Sequence, residues 1–150
     1  MSGALTHSPA DIVRQLLIDM NLGEASTPTA SPSWSVYVGA EPNAPDSAVT
    51  VYDTEGSIAG FTQPDGEAQE YHGIQVRVRA SDYATGYARA RAIAVGFDED
   101  VNRDNVTVDS VNYCVCSVTR TSDVLSLGAD KPASRRQLFT INARANVRKL

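Results

Sequence analysis

Two stretches of strict two-residue alternation constrain the fold of this chain more than any other feature of its sequence. They lie within residues 73–79 and 138–148, where apolar and polar side chains alternate from Ile74 to Arg79 and from Phe139 to Arg148. Successive side chains of a β-strand point to opposite faces of a sheet. Each stretch therefore predicts a strand with one face in the core and one polar face.

The polar positions of these two predicted strands are rich in arginine. They are Gln75, Arg77 and Arg79 in the first strand, and Thr140, Asn142, Arg144, Asn146 and Arg148 in the second. If the strands are neighbours, they form a basic sheet surface on the side away from the core. Such a surface is either the ordinary solvent-facing side of an antiparallel sheet or the lining of a subunit interface or channel. The loop before the second strand carries Asp130, Arg135 and Arg136, a natural place for subunit contacts.

Two helices are predicted from apolar periodicity and from residues that cap helices. The first spans residues 9–21, with Ser8 as N-cap and Gly23 as the stop signal. The second begins after Ser81 and is rich in tyrosine and alanine, so its smooth surface suits close packing against a sheet or another subunit. Gly96 is expected to end it, because acidic residues at a helix C-terminus oppose the helix dipole.

The remaining apolar runs predict further short strands. They lie at residues 34–38, 48–52, 105–108, 111–119 and 124–127. The order of helix, strands, helix, strands predicts an α+β fold. We expect a largely antiparallel sheet of about four to six strands with two helices packed on one face.

The length of 150 residues predicts one domain spanning residues 1–150. Composition predicts flexible loops near residues 24–33, 40–47 and 53–72. The last of these is rich in glycine and acidic residues and shows no clear period. A stretch of that length without secondary structure is often functional or mobile.

The net charge of -5 argues against a dedicated nucleic-acid-binding protein, which is usually basic. The charge is uneven, with -9 over residues 1–76 and +4 over residues 77–150. Such a chain can pair with copies of itself, or meet a polyanion on one face. No apolar run reaches the length of a membrane span, so we expect no membrane partner.

One acidic segment has part of the spacing of a calcium-binding loop. Its candidate ligands are Asp98, Asp100, Asn102 and Asp109. Arg103 stands where such loops need glycine, and the last ligand is aspartate rather than the longer glutamate. We therefore favour a solvated connection between a helix and a strand, and keep calcium binding as the alternative.

No motif for a catalytic nucleophile, a phosphate loop or a zinc site occurs, so we expect no enzyme, cofactor or metal. Cys114 and Cys116 are the only cysteines and share one strand face. At this spacing a disulfide has poor geometry. We expect them to be two small side chains of a protein without disulfides.

The order of these motifs resembles that of the small tail terminator and minor capsid proteins of long-tailed bacteriophages. The shared features are the strand at residues 73–79, the Tyr- and Ala-rich helix after it, a Leu-Gly-x-Asp turn at residues 127–130, Arg135 with Arg136, and a Phe-x-hydrophobic-Asn strand at residues 139–142.

This resemblance implies a structural virion protein at the junction of tail and neck, assembled in the host cytoplasm. Such proteins form sixfold rings that cap the finished tail tube and offer a docking surface to the head connector or stopper. DNA passes through the lumen without sequence-specific contacts. One alternative is a head-side stopper or head-tail joining protein. A more distant one is a small calcium-dependent binding module or enzyme.

Overall fold

A computed structural model describes residues 5–25, 34–43, 46–62, 67–129 and 135–150. Two helices and seven strands follow one another in this described part of the chain. They are α1 (Pro9–Asp19), β1 (Val36–Val38), β2 (Ala48–Thr62), β3 (Glu67–Ala80), α2 (Tyr83–Glu99), β4 (Asp104–Val108), β5 (Val111–Arg120), β6 (Leu125–Ala129) and β7 (Gln137–Lys149). Within those ranges, no helix combines the length and the apolar character that crossing a membrane requires.

The seven strands form one sheet in the order β1-β2-β3-β7-β5-β4, and β6 pairs with the first part of β7. The predicted α+β fold is confirmed only in part: the two helices are present, but most of the described chain is sheet, and that sheet is mixed and has more strands than expected. β1 runs parallel to β2, whereas the other strand pairings within the described ranges are antiparallel. A parallel pair forms because the chain after β1 returns over one face of the sheet before it enters β2, whereas a tight turn would have made the two strands antiparallel.

The first helix has the predicted cap and a different end. The Ser8 hydroxyl accepts a hydrogen bond of 3.2 Å from the backbone N–H of Asp11. The helix stops at Asp19, before Gly23. Asn21 takes the left-handed conformation that terminates a helix, with φ of 59°. Asparagine tolerates this conformation better than most residues, so Asn21 ends the helix where Gly23 was expected to do so.

The second helix differs from its prediction at both ends. Asp82, not Ser81, is the N-cap, and its carboxylate accepts hydrogen bonds from both the backbone and the hydroxyl of Thr85. The helix also continues through Gly96 to Glu99. A side chain at Gly96 would lie 2.9 Å from the end of Met20, so this glycine provides room for packing and is not a stop signal.

The loop predicted over residues 53–72 is wrong where the structure describes it, because β2 and β3 continue into this stretch as a hairpin. The pairing of β2 with β3 shifts register between Thr54 and Ser57 and again between Ile58 and Gly60. Each shift places one extra residue on β2 and so interrupts the two-residue period of the strand. These bulges explain why the sequence shows no period there.

A single apolar cluster joins the helices to the sheet. It contains Ile12, Leu16 and Ile93 of the helices, together with Val76 and Ile141 at the centre of the sheet. Val76 and Ile141 lie directly opposite each other on β3 and β7. The alternating positions on these strands therefore point away from the helices, and that side carries the candidate site.

Candidate functional site

The two alternating stretches that the sequence singled out are neighbours in the sheet. β3 pairs with β7 from Tyr71 to Ala80, which places Gln75 opposite Asn142 and Arg77 opposite Thr140. We call the side of the sheet opposite the helices the polar face. Its residues on β2, β3 and β7 are Thr50, Tyr52, Gln75, Arg77, Arg79, Thr140, Asn142 and Arg144. The two predicted strands are thus neighbours, and their polar positions share the side of the sheet away from the helices.

The two arginines of β3 have different exposures. The Arg77 side chain is 31% exposed, and its guanidinium lies 5.4 Å from the centre of the Tyr52 ring. The Arg79 side chain is only 3% exposed. Each arginine has an Nη1 atom 4.0 Å from the same oxygen, Oε2 of Glu41. Arg79 therefore lies inside the protomer, beneath the segment that contains Glu41, and only Arg77 contributes to the surface.

Residues 41–43 and 46 belong to the chain that crosses the polar face between β1 and β2. Asp46 contacts two arginines: its carbonyl accepts a hydrogen bond of 3.3 Å from Arg79, and its carboxylate accepts one of 2.8 Å from Arg136. From sequence, residues 40–47 were predicted only as a loop. The carboxylates of Glu41 and Asp46 were the feature of the sequence that could have indicated pairing with the arginines of the two strands.

Three polar atoms are buried beside these ion pairs. They are Oε1 of Glu41, Oγ1 of Thr50 and Nε of Arg77, and none has a hydrogen-bond partner within the described ranges. Burial raises the pKa of Tyr52, as does the nearby Glu41 carboxylate, while Arg77 and Arg79 act in the opposite direction. The centre of the polar face therefore contains buried polar atoms, and the neighbouring side chains satisfy only part of their hydrogen-bonding capacity.

Further positive charge is exposed along β7 and at its start. Arg144 on β7 and Arg135 just before β7 are exposed, and Arg136 is half-buried against Asp46. Gln75 and Asn142 are half-buried and joined by a hydrogen bond of 3.0 Å. Asp130, which we also predicted as an interface residue, lies outside the described residues. Exposed guanidinium groups bind carboxylates or phosphates, so this part of the surface suits an anionic partner.

The candidate calcium ligands are not brought together. The Asp98 carboxylate accepts three hydrogen bonds from Arg120, the shortest of 2.7 Å, and these hold the pKa of Asp98 below its usual value. Asp109 lies at the far end of β4, where its carboxylate is 3.2 Å from His7. In the described part of the chain, no three Asp, Glu, His or Cys residues form a group that could hold a metal ion.

A second charged cluster surrounds Asp98. Arg120 also lies 3.4 Å from the Asp123 carboxylate, and Arg91 of α2 lies 3.6 Å from it. These groups border an open groove of about 670 Å³ at the end of β5. Because the carboxylates and guanidinium groups neutralise one another, we assign this cluster to joining α2 to the sheet.

Comparison with known proteins places the chain in a family. The family model described as "Bacteriophage tail terminator protein" matches residues 15–148. A solved structure described as "Virion of native gene transfer agent (GTA) particle" is similar at 15% identity, with a TM-score of 0.46, over 75% of this chain and 78% of that chain. A search of curated proteins gave no match. Because the family model covers nearly all of the sequence, this protein belongs to the bacteriophage tail terminator family.

Proposed function

We propose that this protein forms a sixfold ring that caps the finished tail tube and provides the docking surface for the head connector. Tail terminators are structural proteins of the virion, so the role we assign involves no catalysis. The observation that carries the proposal is the polar face, which the pairing of β3 with β7 assembles from residues that sequence patterning had singled out. It presents exposed arginines on a rigid sheet.

The exposed arginines suit contacts with carboxylates of a neighbouring subunit or with DNA in a ring lumen. Arg135 and Arg144 lie at the surface, and Arg77 is partly exposed. Guanidinium groups bind the phosphates of passing DNA without reading its sequence. Such contacts weaken steeply as salt rises, which lets DNA move through a lumen without being held.

The uneven charge of the chain supports a ring closed by head-to-tail contacts. Residues 57–62 and 67–70 of the β2–β3 hairpin pair with each other and with no other strand that the structure describes. The sequence from 53 to 70 contains five acidic residues and no lysine or arginine. This acidic segment on one copy and the exposed arginines on the next are complementary in charge, as repeated heterologous contacts require.

The proposed partners follow from this arrangement. They are other copies of this chain, the tail tube protein and the head connector or stopper. The proposed location is the junction of tail and neck, with assembly in the host cytoplasm. A related function, that of a head-side stopper or joining protein, would use the same ring and differ in which partner binds first.

Light scattering of the purified protein tests the proposal directly. The mass is measured over a range of concentrations, alone, with purified tail tubes and with purified head connectors. A hexamer that forms alone or on tubes supports the terminator. Binding to connectors but not to tubes overturns it in favour of the head-side function. A protein that stays monomeric and binds neither tail tubes nor head connectors contradicts the proposed ring.

A further inference from the structure

The only two cysteines of the chain are in contact on β5. The sulfur atoms of Cys114 and Cys116 are 3.6 Å apart. In a regular strand, residues two apart are separated by about 6.5–7 Å. Here the pairing of β5 with β7 shifts register between Val115 and Ser117, which places Cys116 in a β-bulge. The bulge bends the strand and changes the poor geometry that sequence spacing alone implied.

The strands on both sides hold the backbone around the two thiols. Cys114 lies opposite Asn105 of β4 and opposite Arg148 of β7. The carbonyl of Cys116 accepts a hydrogen bond of 3.2 Å from the backbone N–H of Arg103. Both cysteines are half-buried and on the side away from the core, so a small reagent can reach them. A fixed backbone keeps their sulfurs close together.

We propose that Cys114 and Cys116 form an oxidisable dithiol that closes to an intrachain disulfide, with a small disulfide such as oxidised glutathione as the oxidant. Closing the bond requires the sulfurs to approach by about 1.5 Å, since a disulfide bond is about 2.05 Å long. Rotation of the two side chains and a small change in the bulge supply this movement.

The reaction is a double thiol–disulfide exchange. One cysteine thiolate attacks oxidised glutathione, forms a mixed disulfide and releases one glutathione thiolate. The second cysteine thiolate then attacks the protein sulfur of that mixed disulfide and releases the other glutathione. Two electrons pass from the cysteine pair to glutathione, and the two cysteine protons end on the two glutathione thiols.

The surroundings predict how the first step depends on pH. Burial raises the pKa of the Cys114 thiol, and the neighbouring Cys116 thiol raises it further. The charged groups that face it are Arg148 on β7 and Arg103 before β4, and both act in the opposite direction. The thiol form of Cys114 therefore dominates at neutral pH, and exchange becomes faster as the pH rises.

The redox state of the dithiol would differ between the inside and the outside of the host cell. This consequence rests on the proposed virion location. The host cytoplasm keeps thiols reduced, whereas the medium outside a cell is oxidising. The pair would be reduced while a ring assembles and would close after the particle is released. The bond would then join two residues of the bulge on the strand between β4 and β7.

Intact mass spectrometry tests the dithiol on the full chain. The protein is treated with oxidised glutathione over a range of pH, quenched with acid and alkylated. The expected product is a monomer lighter by two hydrogen atoms, resistant to alkylation and restored by dithiothreitol. Cys114→Ser and Cys116→Ser should each stop at a mixed disulfide with glutathione.

Three results would overturn the proposal. They are a wild-type chain that keeps two bound glutathiones, a covalent dimer, and two thiols that are alkylated freely but never oxidised. The measurement does not depend on assembly. A closed disulfide in a protein that forms no ring would contradict the proposed function alone, and a ring with inert thiols would contradict this proposal alone.

Discussion

The side-chain amide of Gln75 donates a hydrogen bond of 3.0 Å to the side-chain oxygen of Asn142, directly across the junction of β3 and β7. Both residues are half-buried on the polar face. This pair therefore joins the two strands through their side chains in addition to the backbone ladder.

Removing the Gln75–Asn142 hydrogen bond should produce a measurable coupling energy. Gln75→Leu, Asn142→Leu and the double variant form a thermodynamic cycle, with unfolding followed in urea. We expect a coupling of about 0.5–1.5 kcal/mol in the free energy of unfolding. Strictly additive effects of the two substitutions would contradict the assigned interaction.

Thr50→Val should stabilise the protein. The Thr50 side chain is fully buried and its hydroxyl has no hydrogen-bond partner within the described ranges, so valine removes a desolvation cost while keeping the shape. We expect a gain of about 1 kcal/mol in the free energy of unfolding. Thr107→Val is the control, because the Thr107 hydroxyl donates a hydrogen bond to Asn112 and no gain is expected.

Asp98→Asn should change how stability depends on pH. Hydrogen bonds from Arg120 lower the pKa of Asp98 in the folded state. A lowered carboxyl pKa stabilises the fold above the unfolded pKa of about 3.9, and this stabilisation disappears as the pH falls through the folded value. The wild type should therefore lose its advantage over the variant below about pH 4.

Solvent limits the size of this effect. The Asp98 side chain is 39% exposed, so we expect a difference of less than about 1 kcal/mol at neutral pH, decreasing with salt. Thermal unfolding from pH 2 to 7 measures it. Asp100→Asn, at the next exposed aspartate, is the control. An advantage of the wild type that persists unchanged to pH 2 would disprove the linkage.

Gly73→Ala should distort the β2–β3 hairpin. A Cβ atom at this position would overlap the carbonyl oxygen of Glu55 on the neighbouring strand, and backbone atoms cannot rotate away. We expect a loss of about 1–3 kcal/mol in urea unfolding. Gly39→Ala is the comparison, because Gly39 has φ of 76° with open space around it and tests backbone strain alone. Equal losses would show that overlap is not the cause.

Reversing charge at Arg135 and Arg136 should block the joining of heads to tails while leaving the monomer folded. Like charges facing each other at an interface cost several kcal/mol, so we expect joined particles to fall by at least roughly tenfold. An in vitro joining assay counted by electron microscopy measures the loss, and circular dichroism checks folding. Arg91→Glu is the control, because Arg91 lies on α2, over the opposite face of the sheet.

Arg136 also forms an ion pair with Asp46, so its reversal changes the chain that crosses the polar face. Arg135→Glu with Arg144→Glu avoids this contact and should have the same effect on joining. Variants that still join heads to tails at the wild-type level would remove the assigned role of these arginines.

Local patterns predicted the elements that have a regular period. The strands containing Gln75 and Asn142 were recognisable because one face of each is buried and alternation is uninterrupted. The outer half of the β2–β3 hairpin was missed because two bulges break that alternation. The parallel pairing of β1 depends on the path of the chain after it, which no local pattern encodes.

The candidate site was predictable in part. Alternation placed Arg77 and Arg79 on one side of their strand, which the structure confirms. Burial of Arg79 was not predictable, since it depends on Glu41 and Asp46 arriving from a segment more than thirty residues earlier in the chain. The contact of the two cysteines likewise depends on a bulge.

The central position of β7 has a consequence for biosynthesis. β7 lies between β3 and β5 and also pairs with β6, so without it the sheet is divided into β1-β2-β3 and β5-β4. A nascent chain cannot unite these halves until residues 137–149 have left the ribosome. Completion of the sheet therefore waits for β7 and is dominated by contacts distant in sequence, which slow folding. The polar face, which β3 and β7 build together, is complete only after β7 has inserted into the middle of the sheet.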